Sequence, residues 1–133
     1  AVGQGALAIE CRADDEAVLA LLKPLNDGQA RIRLKAERAL NRRLEGGCQV
    51  PIAAYAVIEK DAEQSHQKTL WLRGRVGSED GTVLLKSDKR IELTGDQATR
   101  EAQAEQLGIE VADELLSLGA DSILAAIYAD KKD

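Results

Sequence analysis

A chain of 133 residues, 44% of them apolar, is long enough to bury one core, and with only one Trp, two Tyr and no Phe that core has to be aliphatic. A net charge of -5 argues against broad attraction to nucleic acid or an anionic membrane. No run of about 18 apolar residues is present to span a bilayer, and no signal-peptide pattern opens the chain. Two cysteines, Cys11 and Cys48, and a single His66 form neither a disulfide framework nor a metal site, so no metal ligands are assigned and a reducing, cytoplasmic setting is expected.

Residues 5–12 read as a short buried strand, with Ala6, Leu7, Ala8 and Ile9 ahead of polar residues. Asp14 is the expected N-cap of a helix whose apolar side is Val18, Leu19, Leu21, Leu22 and Leu25, ended or kinked by Pro24. Asn26 and Gln29 are spaced like a capping box before a second helix, in which Ile32, Ala36, Leu40 and Leu44 recur every fourth residue as one apolar stripe. Between positions 31 and 43 the cations Arg31, Arg33, Lys35, Arg38, Arg42 and Arg43 meet only Glu37, a local balance of +5 inside an acidic chain. Gly46-Gly47 is expected to stop this helix.

Three strands follow. Val50, Ile52, Ala54, Ala56 and Ile58 alternate in the first, and Leu70, Leu72, Gly74 and Val76 alternate with Trp71, Arg73 and Arg75 in the second. The third runs from Thr82 to Leu93 with a bulge or break expected near Ser87-Asp88. Short links favour an antiparallel meander, and His66 falls in the first link, where an exposed polar loop explains it. The chain closes with helix, whose expected apolar face is Ala98, Ala102, Ile109, Ala112, Leu115, Leu116 and Leu118, with a possible break at Gly108. After Gly119, Asp121 caps a last short helix with Ile123, Leu124 and Ile127 inward. The order gives an α+β fold: a three-stranded antiparallel sheet with helices packed on one face.

The residues that carry chemistry cluster where the basic helix meets the first strand. Two glycines can end a helix and bring the backbone close to another group, and Cys48 on the tight connection after them is well placed to be presented to a reaction partner. A free cysteine more often acts as a small buried hydrophobe, so Cys48 also has a purely structural reading.

The run Arg38-Ala39-Leu40-Asn41-Arg42-Arg43-Leu44-Glu45-Gly46-Gly47-Cys48-Gln49-Val50-Pro51-Ile52 closely resembles the cofactor-attachment segment of the hydroxymethylbilane synthases, or porphobilinogen deaminases. Val2-Gly3-Gln4-Gly5-Ala6-Leu7-Ala8-Ile9-Glu10-Cys11-Arg12 is similar to the segment that precedes it in that family, and the likeness extends through Trp71-Leu72-Arg73-Gly74 to the Ala-rich end. The resemblance implies a cytoplasmic transferase that condenses four porphobilinogen molecules into a linear tetrapyrrole, releasing ammonia at each step. The growing polypyrrole is anchored on a dipyrromethane cofactor held as a thioether by Cys48. It further implies that Gln4 and Gly5 touch the cofactor and that Arg38 handles anions or orients the loop. Roles for Arg12, Glu45 and the other helix arginines stay open: Arg12 can pair with Glu10 or Asp15, and Glu45 with Arg42 or Arg43. Cys11, on the first strand, reads as buried structure.

By the same resemblance, residues 1–25 are hinge, strand and helix of upstream α/β catalytic domains, and residues 26–133 are the domain that carries the cofactor cysteine. With no methionine and a first segment that reads as the middle of an element, the chain is expected to be a C-terminal or processed piece of a longer, monomeric parent. The acid-base aspartate then lies upstream, no catalytic residue falls within this piece, and the piece alone is expected to be inactive, with porphobilinogen and the upstream domains as its partners. The competing reading is a non-enzymatic module that binds an acidic metabolite or protein, with Cys48 structural. Nucleic-acid binding by the helix at 31–43 is weakened by the acidity of the chain and its few stacking aromatics.

Overall fold

The computed structural model describes residues 1–46, 50–60 and 68–129. In chain order the elements are α1 (Glu16–Leu22) with a 3-10 turn behind it (Lys23–Leu25), α2 (Gly28–Arg43), β1 (Ile52–Lys60), β2 (Lys68–Gly77), β3 (Leu84–Leu93), α3 (Gln97–Ser117) and α4 (Ala120–Ala129). The strands form one antiparallel sheet in the order β1-β2-β3. Period-2 alternation puts Ile52, Ala54 and Ala56 of β1 and Leu70, Leu72 and Val76 of β2 on the inner face, where all six are buried. Helices α2 and α3 lie side by side across that face, and α4 packs on the C-terminal end of α3. The expected α+β layer arrangement is the one observed.

The α2 stripe is as the spacing requires: Ile32, Ala36, Leu40 and Leu44 are all buried. Leu40, Leu44, Leu70, Leu72, Leu107 and Leu115 are the largest fully buried side chains, and each contributes about 1.5–3 kcal/mol by leaving water. Two glycines let the layers close. A Cβ on Gly74 would lie within 2.9 Å of methyl groups of Val111, Leu115 and Leu40, and one on Gly108 would lie 2.3 Å from the carbonyl oxygen of Ala36. No break occurs in α3 at Gly108, because this glycine is the point where α3 touches the α2 backbone and not a hinge.

Several local expectations are corrected. Residues 5–12 form no strand: Leu7 is fully exposed and Ile9 is 61% exposed. A strand exists only by pairing its amides and carbonyls, and no described strand aligns with this segment. Helix α1 is capped by Asp15, not Asp14, and none of its residues is buried. Asp27 caps α2 in place of Asn26, accepting from the amides of Gln29 and Ala30 at 2.8 and 3.2 Å. β3 continues through Ser87-Asp88 without a bulge, Ser87 opposite Gly74 and Asp88 opposite Arg73. Of the two polar residues that suggested a break, Ser87 faces inward and its Oγ donates to Glu114 at 3.0 Å, while Asp88 faces outward and pairs with Arg75; Lys89 lies 3.7 Å from the Glu114 carboxylate. The buried face of α3 is Ala104, Leu107, Gly108, Val111, Ala112 and Leu115. Only Ala112 and Leu115 belong to the expected set; Ala98, Ala102 and Leu118 are exposed.

The opposite face of the sheet carries no helix among the described residues. There the Arg73 guanidinium lies between the rings of Tyr55 and Trp71, 4.8 and 4.2 Å from their centroids, and Arg90 covers Trp71 at 3.9 Å. Arg75 pairs with Asp88 and Arg90 with Glu59. Arg75 holds the Asp88 carboxyl below its ordinary range.

Candidate anion-binding site beside helix α2

Most of the charge on α2 is neutralised by α3. Arg31 meets Glu101 at 3.1 Å, Lys35 and Arg42 meet Glu105 at 3.6 and 2.9 Å, and Arg43 meets Asp113 at 2.8 Å. The stretch of +5 is therefore largely a helix–helix seam. Arg33 and Arg38 differ: among the described residues neither has a carboxylate partner. Arg38 is exposed and Arg33 is half-buried. A guanidinium without an anion is a ready fork for carboxylate or phosphate.

Arg33 lines a cleft of about 480 Å³ formed by α2, the segment at 3–7, the turn before α2, and Tyr55 and Ala56 of β1. Gln4 and Gly5 line this cleft as well. Glu37 fixes its floor. That side chain is 6% exposed, and its two oxygens accept the amide of Gly3 at 2.7 Å and the amide of Ala56 at 2.9 Å. Ala56 lies on the outer edge strand of the sheet, so one carboxylate caps a free edge amide and ties the N-terminal segment down. Gly3 and Gly5 both take positive φ, 67° and 80°, and the amide of Ala6 bonds back to the carbonyl of Gly3 at 3.1 Å, which turns the Gln4 peptide into the cleft wall. Arg38 lies one turn further along α2 and does not line the cleft. The structure thus brings together Gln4, Gly5 and Arg33; Arg38 stands apart from that cleft. Arg33 was not singled out in the sequence because it is one of five arginines in a run, and only the α3 carboxylates separate the paired from the unpaired. Glu37 carried no signal beyond being the lone acid among cations.

The end of α2 is also unlike the expectation. The helix stops in a Schellman turn, with the amide of Gly46 on the carbonyl of Asn41 at 2.9 Å and the amide of Glu45 on that of Arg42 at 3.0 Å. Glu45, not a glycine, takes the left-handed position at φ 54°. Its side chain is exposed and pairs with neither Arg42 nor Arg43, whose anions come from α3. Arg12 pairs with Asp15 at 2.8 Å, one of its two expected partners, and this contact lowers the Asp15 pKa. Cys11 is half-buried and free in a segment that is not a strand. Cys48 and His66 lie outside the described residues. Among the described residues no group of three His, Cys, Asp or Glu side chains gathers at a metal-binding spacing, and no helix is long and apolar enough to cross a membrane.

The architecture defines an α+β domain in which a cationic helix, flanked by an N-terminal segment and a free sheet edge, carries two guanidiniums that have no carboxylate partner among the described residues. The family model described as porphobilinogen deaminase, C-terminal domain, matches residues 31–117, and the chain belongs to that family. The family is one of tetrapyrrole-synthesis enzymes, transferases of porphyrin biosynthesis.

Proposed function

We propose that this chain is the carrier part of a hydroxymethylbilane synthase, with Cys48 the residue to which the dipyrromethane primer is attached. The observation that carries the reading is the family match, whose span includes Cys48 and Arg38. The described residues fit a group rich in acetate and propionate: Arg33 and Arg38 are guanidiniums with no carboxylate of their own among the described residues, and Gln4 offers an amide at the cleft wall. When bound, the dipyrromethane supplies the free pyrrole position from which a polypyrrole is extended.

The chain's own residues have separate tasks. Cys48 supplies the nucleophile for attachment: its sulfur takes the methylene carbon of porphobilinogen, the carbon–nitrogen bond breaks, and the thiol proton leaves with ammonia. A thioether is not reduced by cellular thiols, so it survives repeated turnover where a disulfide would exchange. Arg38 and Arg33 hold ring carboxylates, and Gln4 and Gly5 contribute backbone and amide contacts along the cleft. The acid-base group for condensation is not among these residues, so the chain by itself holds the attachment point without catalysing tetrapyrrole formation.

The deciding experiment is the denatured intact mass of the full parent polypeptide beside its Cys48→Ser variant. A surplus of two porphobilinogen units less two ammonia, absent in the variant, is expected. A folded parent that stays at its sequence mass after incubation with porphobilinogen would leave the non-enzymatic binding module as the better reading.

A further inference from the structure

The chain has three aromatic residues, and two of them, its only Trp and one of its two Tyr, stand on the open face of the sheet and not in the core. Trp71 and Arg73 of β2, Tyr55 of β1 and Arg90 of β3 form one alternating stack of rings and guanidiniums there. Trp, Tyr and Arg are the side chains that most often carry the binding energy of a protein interface. The stack also leaves donors unmatched: the indole Nε1–H of Trp71 and the Nε–H of Arg73 are shut from solvent without an acceptor among the described residues. Buried donors without acceptors cost stability, a cost that a plain polar cover of the sheet would avoid.

The charges on this face follow the strand register. Arg73 stands opposite Asp88 and Arg75 opposite Lys86, yet the ion pair forms across the diagonal, between Arg75 and Asp88. Arg90 is taken by Glu59. The other diagonal, Arg73 and Lys86, is left without a carboxylate among the described residues, on a chain whose net charge is -5. Rings cover both faces of the Arg73 guanidinium, which fixes its plane and leaves its N–H edge for an anion. Diagonal neighbours across an antiparallel pair are about 7–8 Å apart. Alternate residues of an extended strand project to one side at nearly the same interval, about 7 Å.

We propose that the open face of the sheet is a docking surface for an extended acidic segment of another protein, with Arg73 and Lys86 each taking one of two alternate carboxylates. The unpaired cations select an acidic occupant, and their spacing selects an extended one. The proposal is independent of the attachment reading, which stands or falls on Cys48.

The test uses the full parent polypeptide and a blocked eight-residue peptide of alternating glutamate and threonine, with alternating glutamine and threonine as the control. Titration is followed by calorimetry and by the indole Nε1–H resonance of Trp71, assigned through Trp71→Phe. The glutamate peptide is expected to bind saturably and to move the Trp71 resonance, and the glutamine peptide to do neither. Affinity is expected to fall about tenfold in Arg73→Gln and about threefold in Lys86→Gln, and to stay unchanged in Arg33→Gln, whose guanidinium belongs to the cleft beside α2. Lys86 is exposed and stacks on no ring, so its variant decides the matter if Arg73→Gln fails to fold. Absence of binding, or binding as tight in Lys86→Gln as in the wild type, overturns the proposal. Two other occupants would overturn it as well. Tyr55 ring signals that a soluble paramagnetic probe fails to broaden in the parent alone would show the upstream domains on this face, and a parent dimer that dissociates in Lys86→Glu would show a second copy there.

Discussion

Replacing Gly108 by alanine tests how rigidly α2 and α3 are docked. An added methyl would lie 2.3 Å from the carbonyl oxygen of Ala36, 2.7 Å from Cβ of Ala39 and 3.0 Å from the amide nitrogen of Leu40. Carbon atoms in ordinary contact lie about 3.5–4.0 Å apart, so the helices have to separate by roughly 1 Å. Two of the three obstructing atoms are backbone, and a backbone atom cannot rotate out of the way. Against this stands the better helix propensity of alanine, worth about 1 kcal/mol. Overpacking a tight core costs about 1–3 kcal/mol, and with backbone atoms in the path the upper figure applies. The net expectation is a loss of about 2 kcal/mol. At a urea slope of about 2 kcal/mol/M the midpoint then falls by about 1 M with the slope unchanged. Equilibrium urea unfolding of wild type and Gly108→Ala, followed by far-UV circular dichroism, reads this directly. A midpoint equal to or above the wild type would refute the reasoning, because propensity would then have outweighed a docking that is looser than the structure shows.

Glu45→Gly is expected to act in the opposite direction. It removes the left-handed strain of an exposed side chain without an ion pair, at the cost of a more flexible unfolded chain, for a net gain of about 0.5–1 kcal/mol. A thermal melt should rise by about 2–4 °C, and an unchanged or lower melting temperature would show that Glu45 makes a compensating contact. The pH dependence follows from Asp88, whose pKa is lowered chiefly by the hydrogen bond from Arg75. A carboxyl with a folded pKa below its unfolded value adds stability above the unfolded value, near 3.9, and that stability is lost as pH falls through the folded pKa. Asp15 and Asp96, lowered by Arg12 and by Thr99, work in the same sense. Urea midpoints should therefore fall below about pH 4, and Asp88→Asn should flatten the fall slightly, since a pair this exposed is worth under about 1 kcal/mol. A variant with the wild-type pH slope would remove Asp88 from the account.

Local periodicity carried much of the fold, and it failed where neighbours decide. The four-residue recurrence of Ile32, Ala36, Leu40 and Leu44 marked the α2 core face, and the alternation through Leu70, Leu72, Gly74 and Val76 marked the inner face of β2. On α3 the same reasoning chose Ala98, Ala102 and Leu118, which are exposed, over Ala104, Leu107 and Gly108, which are buried. Apolar residues stand on more than one side of that helix, and hydrophobicity does not mark a glycine as the point of closest approach. Ser87 and Asp88 looked like a break in β3 because their partners are not neighbours in the chain: Glu114 comes from a helix that begins only at Gln97, and Arg75 from the adjoining strand β2.

The same division runs through the candidate site. The sequence by itself determined that a basic helix leads into a glycine turn and Cys48, that the chain is acidic elsewhere, and that two motifs in order resemble one enzyme family. Those properties are written in neighbouring residues. Only the tertiary structure decided which cations are free, because Glu101, Glu105 and Asp113 reach α2 from about seventy positions away and leave Arg33 and Arg38 without an anion among the described residues. It also decided that Glu37 joins Gly3 to the edge of β1 and that Tyr128 reaches the end of α2. A side chain's partner depends on how whole elements dock, and docking is set by the fit of their surfaces, which no local pattern of the chain contains.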